Sequence, residues 1–301
     1  MADPAPAPPA ARLPANMRGI ALMVTSSAMF GGMAGIVRHL SGDIHPFEAA
    51  FFRNFFGLIM FLPILAKVGL APLRTRRFGF LTLRAALNAT SMTLFFLAVS
   101  LVPIAKVAAL NFTSPLFVTL AAIGLLGERM GLRRTIGLAI GFTGALVILR
   151  PGLEVINPGS GYALLSAAIW AAAIIVIKVL SRTESSLTIT VYAVLFLTPL
   201  TLIPALFVWR WPDLEQLAWL AGIGFLGTGG HLLFAQALSH ADASLVMPFD
   251  FTKLLWAALI GFFFFTEVPV VWTWVGGAVI FTSATYVAYR ERISDRAAEP
   301  V

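Results

Sequence analysis

The chain has no cysteine among its 301 residues. Disulfides, thiolate-bound metals and thiol nucleophiles are therefore excluded. Charge is also scarce: Asp, Glu, Lys and Arg make up 12% of the residues, against about 25% in soluble domains. There is no P-loop, HExxH or GxSxG pattern, which removes the usual signatures of ATP binding, zinc hydrolysis and serine acyl transfer. Gly222–Gly227 (GIGFLG) fits a dinucleotide fingerprint, but it sits in a long apolar run, where no strand–turn–helix can form around it. No cofactor, no metal and no enzymatic activity are expected. What is present is apolar: 59% of residues are hydrophobic and the mean hydropathy is +0.89. So little polar surface cannot cover a water-soluble globule, and the solvent it suits is a lipid bilayer.

Ten apolar runs are long enough to cross a bilayer, each needing about 20 residues over a core of about 30 Å. They cover residues 18–38, 46–66, 78–99, 103–126, 132–149, 159–180, 187–209, 214–238, 242–265 and 269–289. Runs of this length fit helices; barrel strands would be half as long and alternating. The net charge of +7 would suggest nucleic acid in a soluble protein. Here it reads as Lys and Arg at helix ends facing anionic lipid, with no nucleic-acid partner. With the N-terminus inside, fifteen Lys and Arg fall on the inner side and four (Arg38, Lys106, Arg150, Arg210) on the outer. That asymmetry places both termini in the cytoplasm. The Pro/Ala-rich residues 1–16 bury too little to order themselves and read as a disordered tail.

The chain also repeats itself. At a constant offset of 139, Ser100–Glu128 meets Ser239–Glu267, with Phe112/Phe251, Thr113/Thr252, Leu116/Leu255 and Glu128/Glu267 identical. Five spans fall in each copy, at 17–150 and 159–290, followed by a C-terminal tail at 291–301. Five is odd, so the second copy must enter the membrane from the opposite side. The expected fold is all-α: ten transmembrane helices as two inverted five-helix repeats, an arrangement that places a solute between the halves near the midplane.

Asp250 and Lys253 lie inside an apolar run, and a charge at that depth is a functional candidate. Three residues apart, they share one helix face. They form either an internal ion pair or a site that meets a solute. Pro248 loosens the helix beside them, and Pro115 does the same beside Asn111, the repeat partner of Asp250. His231 and Asn88 are further intramembrane polar groups, fit for a solute or for helix-to-helix hydrogen bonds. Phe112, Trp170, Phe249 and Trp256 lie mid-span and could wall an apolar pocket. Glu128 and Glu267 end matching spans and read as braces for gates or caps for neighbouring helices. Gly31/Gly35 and Gly137/Gly141 have the spacing of helix-packing seams.

The two five-span halves, each with a polar-centred fourth helix, Gly127-Glu128 or Thr266-Glu267, and a Gly-rich fifth helix, resemble the EamA-type drug/metabolite transporter family. NFTSPLFVTLAAIGLLGERM at 111–130 and its second copy carry the resemblance. It implies a multi-pass protein of a bacterial inner membrane, no cofactor, and alternating access through a central cavity. Within the family the chain looks most like exporters of aromatic amino acids. The expected partners are an amino-acid-like small molecule and the lipid bilayer; a broad exporter of apolar cations is the alternative.

Overall fold

A computed structural model describes residues 15–69, 75, 77–126, 132–150, 157–180, 182–184, 186–240 and 249–298. Among these residues all regular structure is helical: α1 (Ala15–Leu40), α2 (Pro46–Val68), α3 (Phe78–Leu101), α4 (Ile104–Asn111), α5 (Ser114–Leu126), α6 (Leu132–Leu149), α7 (Pro158–Leu180), α8 (Ser186–Leu206), α9 (Leu214–His240), α10 (Thr252–Phe265) and α11 (Val271–Ala298). In lipid the backbone must satisfy its own hydrogen bonds, so apolar runs of this length fold as helices. Each of the ten runs carries one or two of them. Among the described residues, six helical stretches are long and apolar enough to cross a membrane by length and composition alone, one of them, Ile104–Ala121, running through α4 into α5.

Two expected spans are broken. The fourth divides into α4 and α5 at Phe112–Thr113, because Pro115 has no N–H to give the Asn111 carbonyl. The ninth is interrupted by a turn residue at Phe251, after which α10 begins. These breaks fall at matching repeat positions. At the other end of the chain, α11 runs to Ala298, past the expected limit of 289. Pro248 and Glu128 lie outside the described residues, as does most of the expected tail at 1–16.

Short connections are locked by local caps. Before α9, Asp213 Oδ1 accepts from Gln216 N–H at 2.8 Å while Asp213 N–H gives to Gln216 Oε1 at 3.0 Å, a reciprocal capping box. Before α7, Asn157 Oδ1 accepts from Gly159 N–H at 2.8 Å. Before α2, His45 Nδ1 accepts from Phe47 N–H at 3.2 Å. Burial holds the His45 pKa below its ordinary value, which keeps that nitrogen free to accept.

The helices pack in a paired pattern. α1 lies on α9 and α3 on α7; α2 meets α9 and α3 meets α8; α1 meets α10 and α5 meets α7. Exchanging the first five spans for the last five turns each of these contacts into its companion. Three further pairs, α2 with α8, α4 with α10 and α6 with α11, map onto themselves. Apolar association contributes little between helices in lipid, so seams rest on small residues and buried hydroxyls. On the α3–α7 seam Ser91 Oγ donates to the Ser166 carbonyl at 2.9 Å and Ser166 Oγ to that of Ser91 at 2.8 Å. On the α1–α9 seam Ser26 Oγ donates to the Gly230 carbonyl at 2.8 Å. Gly31 and Gly35 seat α1 on α10: an added Cβ would lie 2.9 Å from Trp256 Cβ at Gly31 and 2.7 Å from Ile260 Cγ2 at Gly35. Large apolar side chains such as Phe262, Phe263 and Phe264 point outward, as lipid allows.

Candidate functional site

The short α4 and the break at Phe251 bring the polar centre of the bundle together. Asp250 Oδ1 and Lys253 Nζ stand 2.5 Å apart, with their side chains 15% and 28% exposed. The pair is turned into the protein. Lys253 Nζ also lies 5.0 Å from the Phe30 ring centre on α1 and 5.6 Å from that of Phe234 on α9. Aromatic faces attract a cation when water is thinned out. His231 meets the edge of Phe30 at 4.9 Å between ring centres. α1, α9 and the ninth span therefore share one cluster: a carboxylate, an ammonium, an imidazole and two phenyl rings.

A second aromatic group adjoins the two helix breaks. Phe112 and Phe251, partners in the repeat, touch at 4.9 Å between ring centres, and Phe251 meets Phe281 at 4.4 Å. Asn111 ends α4 half-buried beside them. Pro115 stands in the first turn of α5, where its missing N–H costs nothing to α5 itself. Phe249 packs with Phe234 against Met23 and Ala237.

Other sequence candidates are not drawn into the cluster. Asn88 on α3 and Trp170 on α7 are half-buried, and no hydrogen bond or ring contact joins them to the ion pair among the described residues. Trp256, one turn beyond Lys253, packs on Gly31; its indole N–H is buried without a hydrogen-bond partner among those residues. An apolar crevice of about 610 Å³ runs between α6 and α11, lined by Ile140, Thr282 and Tyr286 among others. It shares no residue with the ion-pair cluster.

Glu267 works at the end of the bundle. Its Oε1 pairs with Arg38 Nη2 at 3.0 Å, and its Oε2 accepts from the Ile104 N–H, at the start of α4, at 3.0 Å. Arg38 Nη1 in turn donates to the Ser100 and Val99 carbonyls at 2.6 and 3.2 Å. One carboxylate thus joins α1, the α3–α4 corner and the segment after α10. Glu267→Ala leaves the buried Ile104 N–H without its acceptor and removes the carboxylate from Arg38 Nη2, a loss of about 1–3 kcal/mol. The expected outcome is a melting temperature lower by several degrees in detergent, and an unchanged melt would remove the brace.

Phe30 and Arg38 escaped the sequence reading. Phe30 is one phenylalanine among 25, and nothing local separates it from the lipid-facing ones. Arg38 sits at a span end, where snorkelling alone explains a cation.

A bundle of apolar helices with two interrupted spans and charged side chains at its centre is the architecture of a multi-pass membrane protein. The model of the EamA-like transporter family matches residues 17–150 and again 157–289. The chain belongs to that family. It is 32% identical over 286 residues to the riboflavin transporter of Vibrio cholerae serotype O1, covering 93% of this chain and 96% of the relative. It is 29% identical over 255 residues to the S-adenosylmethionine uptake transporter of Rickettsia bellii, covering 85% and 88%. A crystal structure of a protein with 16% identity superposes with a TM-score of 0.59 over 95% of this chain and 99% of that one, a likeness of fold.

Proposed function

We propose that the chain is a secondary transporter carrying small amphipathic metabolites with a flat aromatic part, along a path between two oppositely inserted five-span halves. The Asp250–Lys253 pair under the Phe30 and Phe234 rings carries this reading. Such a pair offers one acceptor and one donor to a polar tail, and the rings offer a face to an aromatic group. Three features support the inverted arrangement: the odd number of spans per copy, the contacts preserved on exchanging the halves, and breaks at matching positions. The distribution of Lys and Arg supports a bacterial inner membrane with both termini cytoplasmic. His231 and Asn111 supply further hydrogen bonds along the path, and rocking about the two breaks supplies the motion.

The names of the relatives widen the solute beyond the aromatic amino acids suggested by the resemblance. Riboflavin, S-adenosylmethionine and tryptophan all join a flat ring system to a polar chain. Counterflow in proteoliposomes compares the three directly, whichever way the gradient drives transport. At least one labelled solute is expected to exchange faster than in protein-free liposomes. Exchange of a lipophilic cationic dye alone would establish the broad exporter of apolar cations instead. Exchange of none would end the reading.

A further inference from the structure

The crevice between α6 and α11 holds about 610 Å³ and lies apart from the cluster around Asp250 and Lys253. It opens on the outside of the bundle, where Ile136, Ile140 and Tyr286 are exposed. Small residues make the room: Gly137 on α6 and Ala278 on α11 stand where larger side chains would fill it. Ser283 is already engaged, its Oγ giving a proton to the Gly137 carbonyl. Beyond the Thr282 and Tyr286 hydroxyls the walls offer aliphatic and ring surface. From Ala278 to Tyr286 is eight residues, about 12 Å along the helix. Half of a hydrocarbon core about 30 Å thick is about 15 Å, so the crevice runs through most of one leaflet.

Its two helices are antiparallel: Ser283 meets Gly137, while Gly276 faces Gly144 and Ile148. The first turn of α6 therefore lies beside the part of α11 that follows Tyr286. Helical spacing carries both crevice stripes into arginine there. Arg133 precedes Ile136 and Gly137 by three and four residues, and Arg290 follows Tyr286 by four. Each falls on the face of its helix that lines the crevice. Arg134 and Arg292 adjoin them, and Glu291 is the only acid in 132–136 and 286–292. This is the end that the distribution of Lys and Arg assigns to the cytoplasm.

The arginines decide between occupants. A second copy seated here about a two-fold axis would set its own arginines against these. A phosphodiester complements them, and basic positions between membrane helices at a cytoplasmic end suit anionic headgroups.

We propose that the α6–α11 crevice binds one anionic phospholipid of the cytoplasmic leaflet. An acyl chain lies along Ile140, Ala278 and Val279. The phosphate sits at the level of Arg133 and Arg290, and the Tyr286 ring marks the boundary between the two. The lipid stays on the outside of the bundle and is no solute of the path.

Native mass spectrometry of the full chain tests this, after incubation in detergent with equal amounts of phosphatidylglycerol and phosphatidylcholine of identical chains. One phosphatidylglycerol per chain is expected to survive release from the detergent, at least tenfold more often than phosphatidylcholine. Arg133→Gln/Arg290→Gln should bring the two lipids to parity. Lys67→Gln/Arg182→Gln removes the same charge elsewhere on the cytoplasmic side and should leave the preference intact. Ala278→Phe fills the crevice and should cost at least fivefold in retained phosphatidylglycerol; it carries the test if the arginine variant fails to fold. Inorganic phosphate in excess should not displace the lipid. Equal retention of both lipids by the unaltered chain would overturn the proposal, as would an unchanged preference in the arginine variant or unchanged retention in Ala278→Phe. Displacement by phosphate would reduce the site to a surface for small anions, and a dimer free of lipid would give the crevice to a second copy; either result overturns it too. Retention is read without flux, so it stands or falls apart from the solute.

Discussion

Lys253→Ala is expected to lower solute exchange in proteoliposomes at least tenfold while the protein still purifies as a monodisperse species. The ammonium is the only cation on the Phe30 and Phe234 faces among the described residues, and it is the partner of Asp250 at 2.5 Å. Removing it strands a carboxylate in a poorly hydrated place, and breaking a buried pair costs about 3–5 kcal/mol when water cannot compensate. Here both side chains keep some exposure, so the stability loss should fall below that range. A purely structural pair makes a different forecast. The double variant Lys253→Ala/Asp250→Ala would then recover both the melt and the flux, because neither charge is left alone. A transport role predicts recovery of the melt without the flux. Wild-type flux in the double variant sinks the functional assignment.

Gly276→Val should prevent accumulation of folded protein. α6 and α11 meet at a backbone distance: an added Cβ on Gly276 would lie 2.5 Å from the Gly144 carbonyl oxygen, and one on Gly144 would lie 2.8 Å from that of Gly276. The obstacle is backbone on both sides, so no rotamer change relieves it. Overpacking costs about 1–3 kcal/mol even where side chains can shift; here the helices themselves must separate. Separation also breaks the hydrogen bond from Ser283 Oγ to the Gly137 carbonyl. Gly161→Val is the control, since nothing lies within 4 Å of an added Cβ there. Size-exclusion profiles after detergent extraction compare the two, and a monodisperse Gly276→Val peak would refute the tight seam.

The spans were legible because lipid imposes one rule on every residue of a run, and hydropathy reports it directly. The breaks in the fourth and ninth spans were legible from proline: Pro115 marks the first, and Pro248 stands three residues before the turn at Phe251. Asp250 and Lys253 could be paired from their spacing alone, since three residues on a helix bring side chains together. The rings over Lys253 could not be foreseen, because they come from helices whose rotation depends on packing. The contact of Glu267 with Arg38 and Ile104 joins distant parts of the chain, and no local pattern announces it.

The corner gripped by Glu267 has a consequence for how that end can open. Its two oxygens are divided between a side chain on α1 and a main-chain N–H at the first turn of α4, while Arg38 holds the carbonyls that close α3. A rivet through so many plates cannot be loosened one plate at a time. Once the carboxylate lets go, the segment after α10 parts from α1 and from α4 in one step, while Arg38 still keeps α1 on the end of α3, so this corner should come apart at that one joint instead of loosening by degrees.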